Sequence, residues 1–569
     1  MNKMILSIIM SLCLLSGCTD YYDTKNDPIT YGDTYFNTVL STDKACYAPG
    51  EAVQFKLREP LNNAKVRYSH LGKVLKEENI AGTTWLWTPP TDDFQGYLVD
   101  VYEIIDGQEA IKESIGVDVS SDWKKFPRYG FLSGYDRMNQ TSIENNINTM
   151  NRYHINGIQF YDWQNDHHRP LAGTVESPAE SWLDLIGRTN YRSTVDGYIN
   201  AAHDKGMKAM FYNLLFGALQ NAATDGVKEE WYLFKDNNHS NKDNHHLNPP
   251  FRSSIYLTNP ANVEWQNYLI QRNQDVYAVY DFDGYHIDQL GSRGTLYDYN
   301  GTTVKLDETY GSFIAAMKAA FPTKYHVMNA VSQYGQSNSI APSAVDFLYT
   351  EVWDPSKSFD QLVKIIVDNN TFSNNSKNTV LAAYINYAKS SRSGYVNEAG
   401  VLLANAVIFA AGGSHLEIGE HYLANEYFPN KNLQMHGELK GKLIHYYDFL
   451  VGYQNILRDG GTLTTAPAQQ GNIAVFNRKF ADKDVFHFLN FTNASTMEWR
   501  DTDGNQREPV TQTDITQHIT VASPAVKIWV ASPDTEQGVA REISFTQNGS
   551  DITFTLPSLK YWSMVVVEY

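Results

Sequence analysis

The chain has 569 residues, 42% of them hydrophobic and 13% aromatic, with 37 Tyr and 11 Trp. It is too long for a single core and too apolar to be disordered, so two or three folded domains are expected. A formal net charge of −18 repels polyanions, which excludes nucleic acid and acidic polysaccharides as partners and leaves neutral ones.

The N-terminus reads as an export signal. Lys3 supplies the positive start, and Met4 to Leu15 is an apolar run too short to cross a bilayer. Leu15-Ser16-Gly17-Cys18 follows and resembles the bacterial lipobox. Residues 1–17 are therefore expected to be a lipoprotein signal peptide, Cys18 the lipidated residue and 18–30 a polar tether. The protein would be exported and anchored to the bacterial cell envelope, at the outer membrane or cell surface, with a periplasmic face as the alternative. Of the 3 Cys only Cys46 then remains free, so no intramolecular disulfide forms. No Cys/His cluster has metal-ligand spacing, and neither a metal nor a cofactor is expected.

Residues 31–122 show short alternating runs, such as Val53/Phe55/Leu57 and Ile115/Val117/Val119, separated by turn signals such as Ala48-Pro49-Gly50. They read as an immunoglobulin-like β-sandwich. Over 123–452 strand-like runs alternate with helical stretches, the pattern of a (β/α)8 TIM barrel. The runs are Tyr129 to Ser133, Gly157 to Tyr161, Lys208 to Asn213, Phe282 to Asp288, His326 to Ala330, Phe347 to Glu351, Val380 to Ile385 and Ser414 to Ile418. Thr141-Ser142-Ile143-Glu144 has the form of a capping box, and Ser193 to Lys205 reads as a helix stopped by Gly206. From 453 to 569 alternation returns, with a hairpin signal at Gln547-Asn548-Gly549, and predicts a C-terminal β-sandwich.

In parallel barrels the polar residues that close strands face the active site. The fourth run closes on Asp288 and the sixth on Glu351. Two carboxyls on such strands suit glycoside hydrolysis, which needs one group at the oxocarbenium-like centre and another to protonate the departing oxygen. Their alternative use is in salt bridges or helix caps. Asp283 is a rival to Asp288, but an offset of five residues puts it on the opposite strand face, near the lower rim. Other polar strand ends are candidates for holding sugar hydroxyls: Tyr161, Asp162, His167, His168, Tyr212, Asn213, Gln289, Trp353, Tyr384, Asn386 and Glu417. Trp353 is read either as a sugar platform or as lining beneath Glu351. His167 and His168 are read as sugar contacts, since neighbouring residues on a loop rarely converge on one ion.

Several segments together resemble glycoside hydrolase family 66, the dextranases and cycloisomaltooligosaccharide glucanotransferases. They are Gly157 to Trp163, His167-His168-Arg169-Pro170, Tyr212-Asn213, Asp283-Gly284 through Asp288, Leu348 to Trp353, and Gly413 to His421. The resemblance implies a retaining enzyme acting on α-1,6-linked glucan, dextran and its isomaltooligosaccharides, with Asp288 as nucleophile and Glu351 as acid/base. In the cyclising relatives a carbohydrate-binding module interrupts the barrel late in its sequence, whereas only Asn386 to Gly413 separate the seventh and eighth runs here. Endo-acting hydrolysis is therefore the expectation. The cycloisomaltooligosaccharide-forming transferase and a non-catalytic, lipid-anchored glucan-binding protein are the alternatives.

Overall fold

The computed structural model describes residues 40–569; the signal segment, Cys18, the tether and 31–39 lie outside the described residues. In strand Val53–Leu57 the apolar residues are buried and Gln54 and Lys56 exposed, so one face turns inward. That strand joins Leu40–Thr42 and Thr84–Trp87 in one antiparallel sheet. Lys65–His70, Lys73–Asn79, Gln95–Ile105 and Gln108–Val119 form a second. Val53, Phe55, Val66, Tyr68, Val99 and Val117 share one buried core.

The next strands pair in parallel. They are β1 (Tyr129–Leu132), β2 (Gly157–Phe160), β3 (Lys208–Leu214), β4 (Gly284–Asp288), β5 (Tyr325–Met328), β6 (Leu348–Glu351), β7 (Thr379–Ala382) and β8 (Ser414–His415). One sheet runs β5-β4-β3-β2-β1 and the other β6-β7-β8. Isolated parallel bridges link the two, Asn329 to Tyr349 and Phe131 to Gly419. Between and after the strands lie α1 (Gln140–Arg152), α2 (Arg192–Asp204), α3 (Val263–Val279), α4 (Leu306–Ala320), α5 (Phe359–Phe372), α6 (Glu398–Ala410) and α7 (Gly437–Gly452).

Local sequence explains most of these boundaries. α1 buries Ile143, Ile147 and Met150 at helical spacing. Its cap is Asn139, whose side chain accepts from the Ser142 N–H at 2.8 Å. The expected capping box at Thr141 is therefore corrected: Asn is the stronger cap, and the helix starts two residues earlier. A capping box does form at α5, between Ser358 and Gln361. α2 ends just before Gly206, which takes a φ of +71°.

Inside the parallel strands Tyr129, Phe131, Met210, Val327, Tyr349 and Leu416 pack together with Trp123. Trp123 comes from the segment that precedes β1 and meets the ring edges of Tyr325 and Phe347 at 5.6 and 5.2 Å. A Cβ on Gly157 would stand 2.1 Å from this indole, so only glycine lets β2 pass it. Polar groups gather at the C-terminal ends of these strands.

A six-stranded antiparallel sheet and a three-stranded one complete the chain, with Phe488, Ile528, Phe554 and Val565 in a shared core. Strands Phe545–Asn548 and Asp551–Leu559 form the expected hairpin, with Gly549 at a φ of +61°. α7 is the common footing of the flanking sheets. Asp448 on it accepts from Arg152 at 2.9 and 3.0 Å, from His154 at 2.7 Å and from the Gly116 N–H at 3.0 Å.

Candidate active site

Asp288 and Glu351 close β4 and β6 and meet at a single amide. Asn329, one residue past β5, donates from Nδ2 to Oδ1 of Asp288 at 2.9 Å and to Oε2 of Glu351 at 3.1 Å. Its Oδ1 accepts the Glu351 N–H at 3.2 Å, which turns the NH2 toward the carboxylates. Both distances run from the one nitrogen, so the two oxygens lie no more than about 6 Å apart. Tyr212 on β3 donates to Oδ2 of Asp288 at 2.8 Å, and Tyr384 past β7 donates to Oε1 of Glu351 at 2.8 Å. In the parallel register Tyr212 lies beside His286, two residues before Asp288, and Glu351 lies beside Ala382, two residues before Tyr384, so each hydroxyl reaches its carboxylate diagonally across neighbouring strands.

The two carboxyls differ in environment. Burial raises Glu351, the charge of Asp288 raises it further, and hydrogen bonds from Tyr384, Asn329 and Trp353 only partly offset this, leaving it at about 7. Burial raises Asp288 as well, against hydrogen bonds from Asn329, Tyr212 and the Gln289 N–H that favour its anion. Both carboxyls are raised by burial, and the added charge of Asp288 on Glu351 favours keeping the shared proton on Glu351.

The polar strand ends divide into two groups. Tyr161 stacks on Phe428 at 4.2 Å and lies 4.9 Å from the ring of Tyr212, walling one side of the carboxylates. Asp162 beside it is buried with a φ of +47°, a strained setting for a residue with a Cβ. Burial raises its carboxyl to about 7 against the pull of Arg188. Trp353 stands 5.6 Å from the ring of Tyr384. Gln289 is buried, donating to the Asn329 carbonyl at 3.2 Å and accepting from Tyr310 at 3.2 Å, so it braces the pair from behind.

The remaining candidates have protein partners. His167 and Asn213 bond each other at 2.8 Å, and burial lowers His167 to about 4. His168 accepts the Leu219 N–H on Nδ1 at 3.3 Å, and its Nε2 meets Asp225 at 3.0 Å, so both ring nitrogens are occupied. Asn386 donates to the Asp501 carbonyl at 2.7 Å. Glu417, fully buried, accepts from Asn405 at 2.6 Å and Tyr447 at 3.1 Å, beneath the site. Asp283 accepts from Lys208 at 3.0 Å and the Ala209 N–H at 2.9 Å, and pairs with His203 at 2.7 Å at the entry to β4, away from the carboxylate pair. Asp166, His168 and Asp225 bring metal-ligand atom types together, but Arg252 and Arg169 already pair with the two carboxylates.

Three neighbours escaped the sequence reading. Asn329 stands next to last in the fifth run, one residue past the end of β5, and inspecting every polar residue near a strand end would have found it. Glu420, past β8, accepts from Ser133 at 2.6 Å and is raised by burial. It sits in the resembling segment Gly413 to His421 but lies beyond the end of its strand. Arg500 reaches Trp353 from the C-terminal sheets, and no local pattern marks it.

Residues 42–566 match the model of glycosyl hydrolase family 66. A cycloisomaltooligosaccharide glucanotransferase of Niallia circulans is 25% identical over 744 aligned positions, covering 100% of this chain and 75% of that protein. A dextranase of Streptococcus salivarius is 23% identical, covering 83% of this chain and 67% of its own length. The crystal structure of a Paenibacillus sp. cycloisomaltooligosaccharide glucanotransferase complexed with cycloisomaltoheptaose matches with a TM-score of 0.85 at 24% identity, over 93% of this chain and 99% of that one.

Proposed function

The chain belongs to glycosyl hydrolase family 66, and from that premise we propose that it is an endo-acting dextranase that cleaves α-1,6-glucosidic bonds with retention. The observation that carries this reading is the amide nitrogen of Asn329, 2.9 Å from an oxygen of Asp288 and 3.1 Å from one of Glu351, which keeps these two oxygens within about 6 Å of each other and so supports the close spacing of double displacement over the wider gap that seats a water. Asp288 attacks the anomeric carbon as its anion. Glu351 protonates the departing 6-oxygen and then, as its own anion, takes a proton from water that releases the glucosyl-enzyme. Tyr212 and Tyr384 hold one oxygen of each carboxylate and leave the pair facing outward between Tyr161 and Trp353.

The cyclising transferase is the second reading, favoured by the Niallia circulans relative. Against it stands the short passage from β7 to β8, which holds a 3-10 turn at Lys389–Ser391, the two-residue strand Gly394–Tyr395 and α6. Product analysis decides between them: dextran digests examined by mass spectrometry and early-time NMR should contain open isomaltooligosaccharides with α reducing ends. Rings as the main product overturn the hydrolase assignment, and β reducing ends overturn retention.

We read the two parallel sheets as one closed (β/α)8 barrel over 123–452; the bridges at Asn329 and Gly419 support closure. We read the described part of the expected first domain, 40–122, as an immunoglobulin-like sandwich and 453–569 as a second one, both flanking it. We also propose that the enzyme is an exported lipoprotein acylated on Cys18, supported by the Leu-Ser-Gly-Cys pattern. Incorporation of labelled palmitate that is lost in Cys18→Ser is the check. Among the described residues no helix is long and apolar enough to cross a membrane.

A further inference from the structure

The connection between strands Lys483–Asn490 and Gln512–Thr520 leaves the C-terminal sheets and lies along the ends of β6 and β7. Its Trp499 donates from Nε1 to the Ser356 carbonyl at 2.7 Å, and the Trp499 N–H bonds the Lys357 carbonyl at 3.0 Å. On the other side the Asn386 N–H donates to the Arg500 carbonyl at 2.8 Å, and the Asn386 side chain donates to the Asp501 carbonyl at 2.7 Å. Arg500 is thus pinned from both flanks.

Its guanidinium lies over three rings, 4.9 Å from the centre of Trp353, 5.1 Å from Tyr387 and 4.7 Å from Trp499. Nη2 donates to the Val352 carbonyl at 2.7 Å, while Nη1 is buried without a hydrogen-bond partner. Trp353 follows Glu351 by two residues and lies 5.6 Å from the ring of Tyr384, whose hydroxyl donates to Glu351 at 2.8 Å, and the indole N–H, the one donor of its side chain, is among the influences that favour the Glu351 anion. A cation on the ring face draws density from the indole and makes that N–H a stronger donor.

We propose that Arg500 is a positioning residue for the general acid: the C-terminal sheets deliver its guanidinium onto Trp353, and the cation orients and polarises the indole that meets Glu351. The proposal rests on the assignment of Glu351 as acid/base. The groups facing Glu351 are Asp288 from β4, Tyr349 on β6, Tyr161 past β2, and Tyr384 and Tyr387 past β7. Asp354, Glu426, Tyr384 and Tyr387 surround Arg500. A stronger indole donor favours the Glu351 anion, so losing the cation should raise the pH at which the acid deprotonates.

The test compares kcat/KM against pH for wild type, Arg500→Met, Arg500→Lys, Trp353→Phe and the Arg500→Met/Trp353→Phe double variant. Each is measured on an isomaltooligosaccharide and on an α-isomaltosyl fluoride, whose leaving group needs no proton. Arg500→Met should move the alkaline limb on the oligosaccharide upward by about half a pH unit, in line with the loss of one hydrogen-bond contribution. Turnover of the oligosaccharide should fall on the order of tenfold more than that of the fluoride. Arg500→Lys should restore most of both. The double variant should shift the limb no further than Trp353→Phe alone, because the cation acts through the indole. Equal losses on both substrates with an unmoved limb overturn the proposal and leave Arg500 as packing only. Additive shifts in the double variant also overturn it. A wild-type alkaline limb that persists unchanged on the fluoride overturns the acid/base assignment itself, before any variant is read.

Discussion

Asn329 holds Glu351 at two points: its Nδ2 donates to the Oε2 of the carboxylate at 3.1 Å, and its Oδ1 accepts the Glu351 N–H at 3.2 Å. Backbone and side chain of the acid are thereby tied to one rigid amide, which also reaches Asp288. Asn329→Ala should lower kcat on dextran on the order of 100-fold, with KM changing much less, because spacing rather than ground-state binding is lost. Asn329→Asp should be worse than Ala, since a third carboxyl would both lose a donor and repel the other two. Steady-state kinetics on size-fractionated dextran checks both, and an Asp variant more active than the Ala one contradicts the bridging role.

The carboxylates themselves should be separable by rescue. Asp288→Asn and Glu351→Gln should each reduce reducing-sugar release on the order of 1,000-fold or more while thermal unfolding stays cooperative. Added azide should restore turnover of an activated glucoside to Glu351→Ala, giving an α-glucosyl azide by displacement of Asp288 from the β-linked glucosyl-enzyme, but restore none to Asp288→Asn. Azide product of β configuration from Glu351→Ala would reverse the two roles, since it would mean direct displacement in place of a lost nucleophile.

Activity against pH should be bell-shaped. The acidic limb follows protonation of Asp288, and the alkaline limb follows loss of the Glu351 proton, which burial and the neighbouring anion hold until about pH 7. An enzyme fully active at pH 9 on unactivated oligosaccharides would contradict this.

Stability carries the same sign. Glu351 is raised in the folded protein above its ordinary value, so its protonated form favours folding below about pH 4.3, and that contribution is lost as pH rises toward about 7. Glu351→Gln, which cannot ionise, should therefore raise Tm relative to wild type at pH 8 and change it little at pH 4. Calorimetry at the two pH values measures it, and a Gln variant less stable at pH 8 than at pH 4, relative to wild type, would reverse the sign.

Asp448 should behave oppositely. Burial raises its carboxyl, but Arg152 and His154 outweigh that and bring it to about 2. Its stabilisation is present above the ordinary carboxylate value near 4 and is lost as pH falls toward about 2. Asp448→Ala should cost about 3–5 kcal/mol by leaving the Arg152 guanidinium buried and unpaired. Denaturant unfolding at pH 7 reads the cost, and a neutral result would mean water replaces the carboxylate.

What the sequence by itself determined is what depends on neighbours along the chain. The two-residue period separates Asp288 from Asp283 by strand face, helix and strand runs alternate in the order found, and Gly206 and Asn548-Gly549 stop their elements where backbone preference demands. Only the tertiary structure decided which polar strand ends meet. His168, Asn386 and Glu417 close runs or loops as plausibly as Tyr212 and Tyr384 do, yet His168 pairs with Asp225, the Asn386 amide with Asp501, and one oxygen of Glu417 with Asn405 and Tyr447. That outcome turns on parallel register and on which loops fold over which strand ends. Arg500 marks the limit most sharply: it reaches the Val352 carbonyl across a sequence separation of 148 residues. No local periodicity encodes such a contact, because it arises from the packing of one set of sheets against the ends of another.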